Sequence, residues 1–223
     1  MTVVLDGPRI APASGVARSL VIFLHGYGAD GHDLIDIGRR WAPALPDTAF
    51  VSPHAPDPCD EAPTGRQWFP LAAIDPDRMR QGVVAAAPAL ERFIDAELER
   101  HGLTESALVL AGFSQGTMMA LHVGPRRDRA IAGIVGYSGL LPDPEFLEAE
   151  AKSRPPVLLV HGDDDPLIPS VSLHVAAKVL AAAGFAVEWH MRPGLEHGID
   201  EQGLKLGVEF AGRVLTVAGK SLA

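Results

Sequence analysis

Three residue types, met in the order serine, aspartate and histidine, carry the chemistry this chain can do. Ser114 stands in Gly112-Phe113-Ser114-Gln115-Gly116, a fit to the G-x-S-x-G pattern. There a serine occupies a sharp strand-to-helix turn, and the glycines admit a backbone too tight for a Cβ. A serine hydroxyl is a weak nucleophile. It needs a base, an acid that orients the base, and donors for the oxyanion that forms on an attacked carbonyl. The pentapeptide alone is a weak signal, because composition would place one in about a tenth of chains of this length with this glycine and serine content. The alternative, a glycine-rich turn with an incidental serine, has to be tested against the surroundings.

The elements that must position Ser114 are legible. Ala107–Ala111 before it reads as a buried strand, and Thr117–Leu121 after it as a helix. Further short apolar runs at Leu20–Leu24, Ala49–Ser52, Ile131–Tyr137, Val157–Val160 and Val187–Met191 read as strands, with a weaker, antiparallel edge candidate at Thr2–Leu5. They alternate with helical patterns, the signature of an α/β protein with a mostly parallel sheet covered on both faces. Val83, Ala86, Ala87, Leu90, Phe93, Ile94 and Leu98 repeat at helical spacing, and Pro88 predicts a kink or a late start. Ser170 can cap a helix that runs through Ala183 and stops at Gly184. Leu204, Val208, Ala211 and Leu215 stripe a last helix. The proline-rich stretch 54–78 shows no period and reads as a long ordered loop walling a binding site. With no repeat and no linker, one domain over 1–223 is expected.

In open α/β sheets, functional groups sit at the carboxyl ends of strands. After Val157–Val160 comes His161-Gly162-Asp163-Asp164-Asp165-Pro166, and after Val187–Met191 comes Arg192-Pro193-Gly194-Leu195-Glu196-His197-Gly198. Both loops follow Ser114 in the order acid, then base. His197, in a glycine-flanked loop, is the best base. His25 and His161 also end strands, but each directly precedes a glycine and suits bonding of loop backbone. Among the three aspartates, Asp165 leads Asp163, because the following Pro166 biases it toward an extended backbone. Three adjacent carboxylates cannot all be buried. Asp163 is therefore expected to serve the loop backbone and Asp164 to be solvated.

The oxyanion donors are expected to be the backbone N–H of Gln115, at a helix N-terminus, and that of Tyr27 in the glycine loop His25-Gly26-Tyr27-Gly28-Ala29-Asp30-Gly31. That loop also spells G-x-G-x-x-G. No acidic residue ends the next strand, so the ribose partner of a dinucleotide site is missing.

Composition narrows the partners. A formal charge of −9 argues against nucleic acid and anionic membrane surfaces. No apolar run approaches the ~18 residues that span a bilayer, so no stable membrane insertion is expected. The opening residues lack a basic segment, so no signal peptide is expected. The single cysteine, Cys59, excludes an intramolecular disulfide and a thiolate metal cluster, and reads as an incidental thiol. A cytoplasmic protein acting on a small molecule is the default.

Four blocks together resemble the phospholipase/carboxylesterase family, which contains acyl-protein thioesterases and small carboxylesterases of the α/β-hydrolase fold. They are Leu24-His25-Gly26-Tyr27-Gly28, Gly112-Phe113-Ser114-Gln115-Gly116, His161-Gly162-Asp163-Asp164-Asp165-Pro166-Leu167-Ile168-Pro169 and Glu196-His197. The resemblance implies that fold without a large cap domain. It implies Ser114 as nucleophile, Asp165 as orienting acid, His197 as base, and Tyr27 and Gln115 as oxyanion donors. It matches Trp68 and Phe69 to an aromatic pair lining the substrate cleft, with Leu71 beside them. A loop pinned to the core by its aromatics is the competing reading of that pair. Two departures stand out: Tyr27 where the family often has Leu, and Thr117 where a second glycine often follows the elbow. The expected activity is a serine carboxylesterase acting on short- to medium-chain acyl esters through an acyl-enzyme, with no metal or organic cofactor required. The alternatives are a lysophospholipase or acyl-protein thioesterase for long acyl chains, and more distantly a non-catalytic ligand-binding homologue. A homodimer is a family-level expectation.

Overall fold

A computed structural model describes residues 4–71 and 75–220. Among them a seven-stranded sheet runs in the order β1-β3-β2-β6-β7-β8-β9. Its strands are β1 (Arg9–Ile10), β2 (Ser19–Leu24), β3 (Thr48–Val51), β6 (Leu108–Phe113), β7 (Gly133–Tyr137), β8 (Val157–Gly162) and β9 (Val187–Arg192). All neighbours pair in parallel except β1, which pairs antiparallel with β3. The antiparallel edge is thus Arg9–Ile10 and not Thr2–Leu5. Of that candidate, Thr2 and Val3 lie outside the described residues, and Val4 and Leu5 are not in a strand.

Every residue of β2 is buried, as the two covered faces of a parallel sheet require. The period-2 alternation divides it. Leu20, Ile22 and Leu24 face a cluster with α2 (Pro76–His101), α3 (Gln115–Arg126) and α5 (Val171–Ala182). Val21 and Phe23 face a second cluster with α1 (Gly31–Trp41) and α6 (Glu201–Lys220).

Helix α2 starts at Pro76, capped by the Asp75 carboxylate on the Arg78 N–H at 2.9 Å, and continues through Pro88 to Gly102 in the left-handed region. Pro88 neither delays nor ends it. The carbonyl that loses its partner belongs to Val84, on the exposed face of the helix. Ser170 has helical dihedrals and makes no side-chain cap, so α5 starts without the expected hydroxyl bond. Its end follows the sequence: Gly184 is at φ 86° and the Phe185 N–H closes onto Leu180 O at 3.0 Å. The loop read over 54–78 contains a small hairpin of β4 (Asp57–Pro58) and β5 (Arg66–Gln67), and already becomes helical at Pro76.

Chain order reverses direction across the sheet between β2 and β6, and their register pairs Leu24 with Gly112. The loops after these two strands therefore emerge level with each other at the switch point, where open α/β sheets bind ligands. The close fit there is glycine-dependent. A Cβ on Gly116 would run into the backbone carbonyl of Leu24, and one on Gly112 into the backbone of Gly116. Gly116→Ala is expected to destabilise the protein by about 3 kcal/mol or more, since only backbone could give way. A denaturation midpoint equal to that of the unsubstituted chain would show that the elbow is not so tightly seated.

Candidate active site

Ser114 sits between β6 and α3 at φ 52°, ψ −115°, one of two non-glycine residues with positive φ among those described. A serine held in that region is strained by about 1–3 kcal/mol, and the surroundings must over-determine it. Its N–H donates to Tyr137 O at 2.9 Å, and its carbonyl accepts from Thr117 N–H at 3.0 Å in the first turn of α3. Thr117, where a second glycine often stands, turns its hydroxyl to Gly112 O and Tyr137 O at 2.8 and 2.9 Å. It thereby ties the strand end to the helix start.

The loop after β8 brings up Asp165. Pro166 has no N–H, so the carboxylate reaches past it. Its Oδ1 accepts the N–H groups of Leu167 and Ile168, each at 2.9 Å. Oδ2 accepts the His197 Nδ1–H at 2.7 Å. The side chain is fully buried. Burial raises its pKa, but the Ile168 N–H, His197 and the Leu167 N–H outweigh it, and the group titrates below the ordinary carboxylate value. Asp165 is therefore ionised throughout the neutral and mildly acidic range. With Nδ1 bonded to Asp165, His197 is left with Nε2 as the nitrogen that can take a proton. Its ring packs against Phe113, the residue before Ser114, with centroids 5.0 Å apart. The structure thus gathers Asp165, His197 and the elbow at one end of the sheet.

Two other aspartates behave differently. Asp163 is exposed and accepts the Gly194 N–H at 2.6 Å, bracing the loop that carries His197, and Asp164 faces solvent.

The loop after β2 closes the other side. A Cβ on Gly26 would lie 3.3 Å from Ser114 Cβ, so the backbone leading to Tyr27 passes directly beside the serine. His25 is fully buried. Its Nε2 accepts the Ala55 N–H at 3.0 Å, which leaves the proton on Nδ1, facing Gly26 O at 2.8 Å. The Tyr27 hydroxyl meets Cys59, in the hairpin loop. Burial first, and then that thiol, push its pKa up to about 12, so it stays protonated. Trp68 and Phe69 are 1% and 2% exposed and belong to the large core cluster, while Leu71 is half-buried at its margin.

Three contributions were not read from the sequence. Ser138, at φ 45° just past β7, donates its hydroxyl to Gly198 O at 3.0 Å and holds the His197 loop. A polar residue ending the strand between those of Ser114 and Asp165 was the available signal. His161 bonds loop backbone as expected, its Nε2–H reaching Ile168 O at 2.9 Å, but the same nitrogen lies 3.2 Å from Asp165 Oδ2. The Gln115 carboxamide, considered only for its backbone N–H, accepts the Trp68 N–H at 2.9 Å and donates to Phe69 O at 2.8 Å.

With this geometry in view, comparison with known proteins is decisive for kinship. The model of the Phospholipase/Carboxylesterase family matches residues 5–212. The chain belongs to that family. The crystal structure of esterase PE8 superposes with a TM-score of 0.93 at 41% identity, covering 96% of this chain and all of that one. Acyl-protein thioesterase 1 of Schizosaccharomyces pombe is 33% identical over 190 residues, 81% of this chain and 83% of its own length. Esterase YpfH of Escherichia coli is 28% identical over 193 residues, 86% and 82% of the two chains. As a phospholipase/carboxylesterase family member with the α/β-hydrolase architecture, the chain is a carboxylic ester hydrolase of the serine type. Among the described residues no helix is long and apolar enough to cross a membrane.

The buried His25 gives a pH prediction. Desolvation lowers its pKa from 6.5 to about 4, so the unfolded chain takes up the proton first as pH falls. Stability is complete above pH 6.5 and is lost progressively toward pH 4, by about 3 kcal/mol for this group. In equilibrium denaturation at pH 7 and pH 4.5, His25→Gln, which keeps an acceptor for Ala55, is expected to lose less stability between the two than the unsubstituted chain. Equal losses would contradict this role.

Proposed function

We propose that the protein is a serine carboxylesterase in which Ser114 is the nucleophile, His197 the general base and Asp165 the orienting acid. The observation that carries the reading is the 2.7 Å bond from His197 Nδ1 to a buried, ionised Asp165, beside a serine held at positive φ. His197 Nε2 takes the Ser114 proton as Oγ attacks the acyl carbonyl carbon. The Tyr27 and Gln115 N–H groups stabilise the oxyanion. The tetrahedral intermediate collapses, the alcohol leaves with the proton from His197, and an acyl-serine remains. Water attacks that ester with His197 again as base, releasing the acid and restoring the hydroxyl.

Short- to medium-chain acyl esters are the preferred substrates in this reading. The space this reading assigns to the acyl chain is a cavity of about 230 Å³ in which apolar Met79, Leu140, Leu141 and Phe146 stand beside charged Arg80 and Asp143. The cavity lies between the loop that follows Ser138 and the helix that follows Asp165. Of the residues read as substrate contacts, Leu71 keeps exposed surface to offer, whereas Trp68 and Phe69 act from within the core. The thioesterase names of relatives at up to 33% identity support a second reading, hydrolysis of thioesters of longer acyl groups. In either reading the enzyme works in the cytoplasm.

Steady-state kinetics on esters and matched thioesters of increasing chain length test both. Ser114→Ala and Asp165→Asn are each expected to lower kcat by about 10⁴. Specificity is expected to peak at short to medium esters. A peak at long-chain thioesters would favour the second reading, and undiminished activity of Ser114→Ala would sink both.

A further inference from the structure

Tyr27 and Gln115 belong to different loops, after β2 and after β6, yet their two N–H groups must converge on one oxygen atom. One short segment is bonded to both loops. On the elbow side, the fully buried Gln115 carboxamide binds the peptide of Trp68–Phe69 at both ends, accepting Trp68 N–H at 2.9 Å and donating to Phe69 O at 2.8 Å. On the other side, the Trp68 indole Nε1–H donates to His25 O at 3.0 Å, a carbonyl two residues before Tyr27. The indole also packs against the His25 imidazole with centroids 5.8 Å apart. Upstream in the same segment, Arg66 N–H donates to Ala29 O at 2.8 Å and Arg66 O accepts the Gly28 N–H at 3.0 Å. Residues 66–69 therefore bracket Tyr27 by hydrogen bonds on its two flanks and reach across to the nucleophile's neighbour.

We infer that the Trp68 indole and the Gln115 carboxamide are positioning residues, a brace that sets the separation of the two oxyanion donors. The inference rests on the reading of Tyr27 and Gln115 as those donors. It gives the aromatic pair a task different from lining the cleft: the ring of Trp68 is too deeply buried to meet an acyl group, and its two N–H donors are spent on the two loops. An oxyanion hole gains its effect from donors fixed before charge develops, so a small displacement of one donor costs rate without weakening ground-state binding.

Trp68→Phe removes the bond to His25 O and keeps a ring in the core. Gln115→Met removes both carboxamide bonds at nearly constant volume and leaves the backbone N–H. Gln115→Glu keeps the acceptor for Trp68 N–H but no donor for Phe69 O. For each variant we would measure kcat and KM on a short activated ester. Inhibition would be compared between a trifluoromethyl ketone, which becomes a tetrahedral oxyanion on the serine, and the planar methyl ketone of the same chain. Thermal denaturation would confirm folding.

In Trp68→Phe and Gln115→Met, kcat and trifluoromethyl ketone affinity are expected to fall together by about ten- to a hundredfold. KM and methyl ketone affinity should hold, with Gln115→Glu intermediate. If Trp68→Phe does not fold, the Gln115 pair decides. Folded variants with unaltered kcat and unaltered ketone inhibition would overturn the brace. So would a rise in KM with equal weakening of both ketones, the mark of a substrate wall. A crystal structure of the fluorophosphonate-labelled, unsubstituted enzyme separates this failure from that of the underlying reading, which falls if Ser114 is not modified or if the phosphoryl oxygen does not meet the Tyr27 and Gln115 N–H groups.

Discussion

The backbone of Ser114 is the constraint on which the rest of the site depends. A residue at φ 52° between a strand and a helix projects its side chain from the sheet end, but the conformation is unfavourable by itself. It persists because the chain around it leaves no alternative. Gly112, Gly116 and Gly139 let strand, helix and the neighbouring loop approach where a Cβ would strike Gly116, Leu24 or Thr117. The Ser114 N–H and the Thr117 hydroxyl both reach Tyr137 O, so the elbow is tied to the next strand as well. The rigidity is provided mostly by backbone, and the proposed role of Ser114 as nucleophile depends on it.

The charge state of the buried groups Asp165 and His25 is fixed by the partners each one has. The Asp165 carboxylate receives two backbone N–H groups and the His197 imidazole, which keeps it charged in spite of full burial. His25 is the opposite case. It accepts one N–H and faces one backbone carbonyl, and desolvation outweighs that bond and the charge of Asp30, so it stays neutral. Two histidines at the ends of parallel strands or their following loops thus do different work. Of the two, only His197 has its Nδ1 held by a carboxylate, and this is the arrangement the proposed base role requires.

Much of this was legible in the sequence, because strand ends are cheap to locate. Continuous apolar runs at Leu20–Leu24 and Val157–Val160 mark the central strands to within a residue or two, and the loops after Val157–Val160 and Val187–Met191 carry Asp165 and His197. What sets Asp165 apart from its two neighbours is visible in one dimension: Pro166 has no N–H, and the carboxylate accepts the N–H groups beyond it. What stayed hidden depends on contacts between distant segments. The grip of Gln115 on Trp68–Phe69 spans 46 to 47 residues, and the Ser138 bond to Gly198 spans 60. No local pattern encodes either. The cap expected at Ser170 failed because its backbone is already helical, and the edge strand fell at Arg9–Ile10, a segment with no apolar run to announce it.

The central claim is that Ser114, His197 and the Tyr27 and Gln115 N–H groups converge on one reacting acyl centre. A crystal structure of the enzyme after reaction with a short-chain fluorophosphonate addresses it most directly. The account predicts phosphorus bonded to Ser114 Oγ, with the phosphoryl oxygen about 2.7–3.1 Å from both backbone nitrogens. Phosphorus on another residue, or a phosphoryl oxygen turned to solvent away from those two N–H groups, would contradict it.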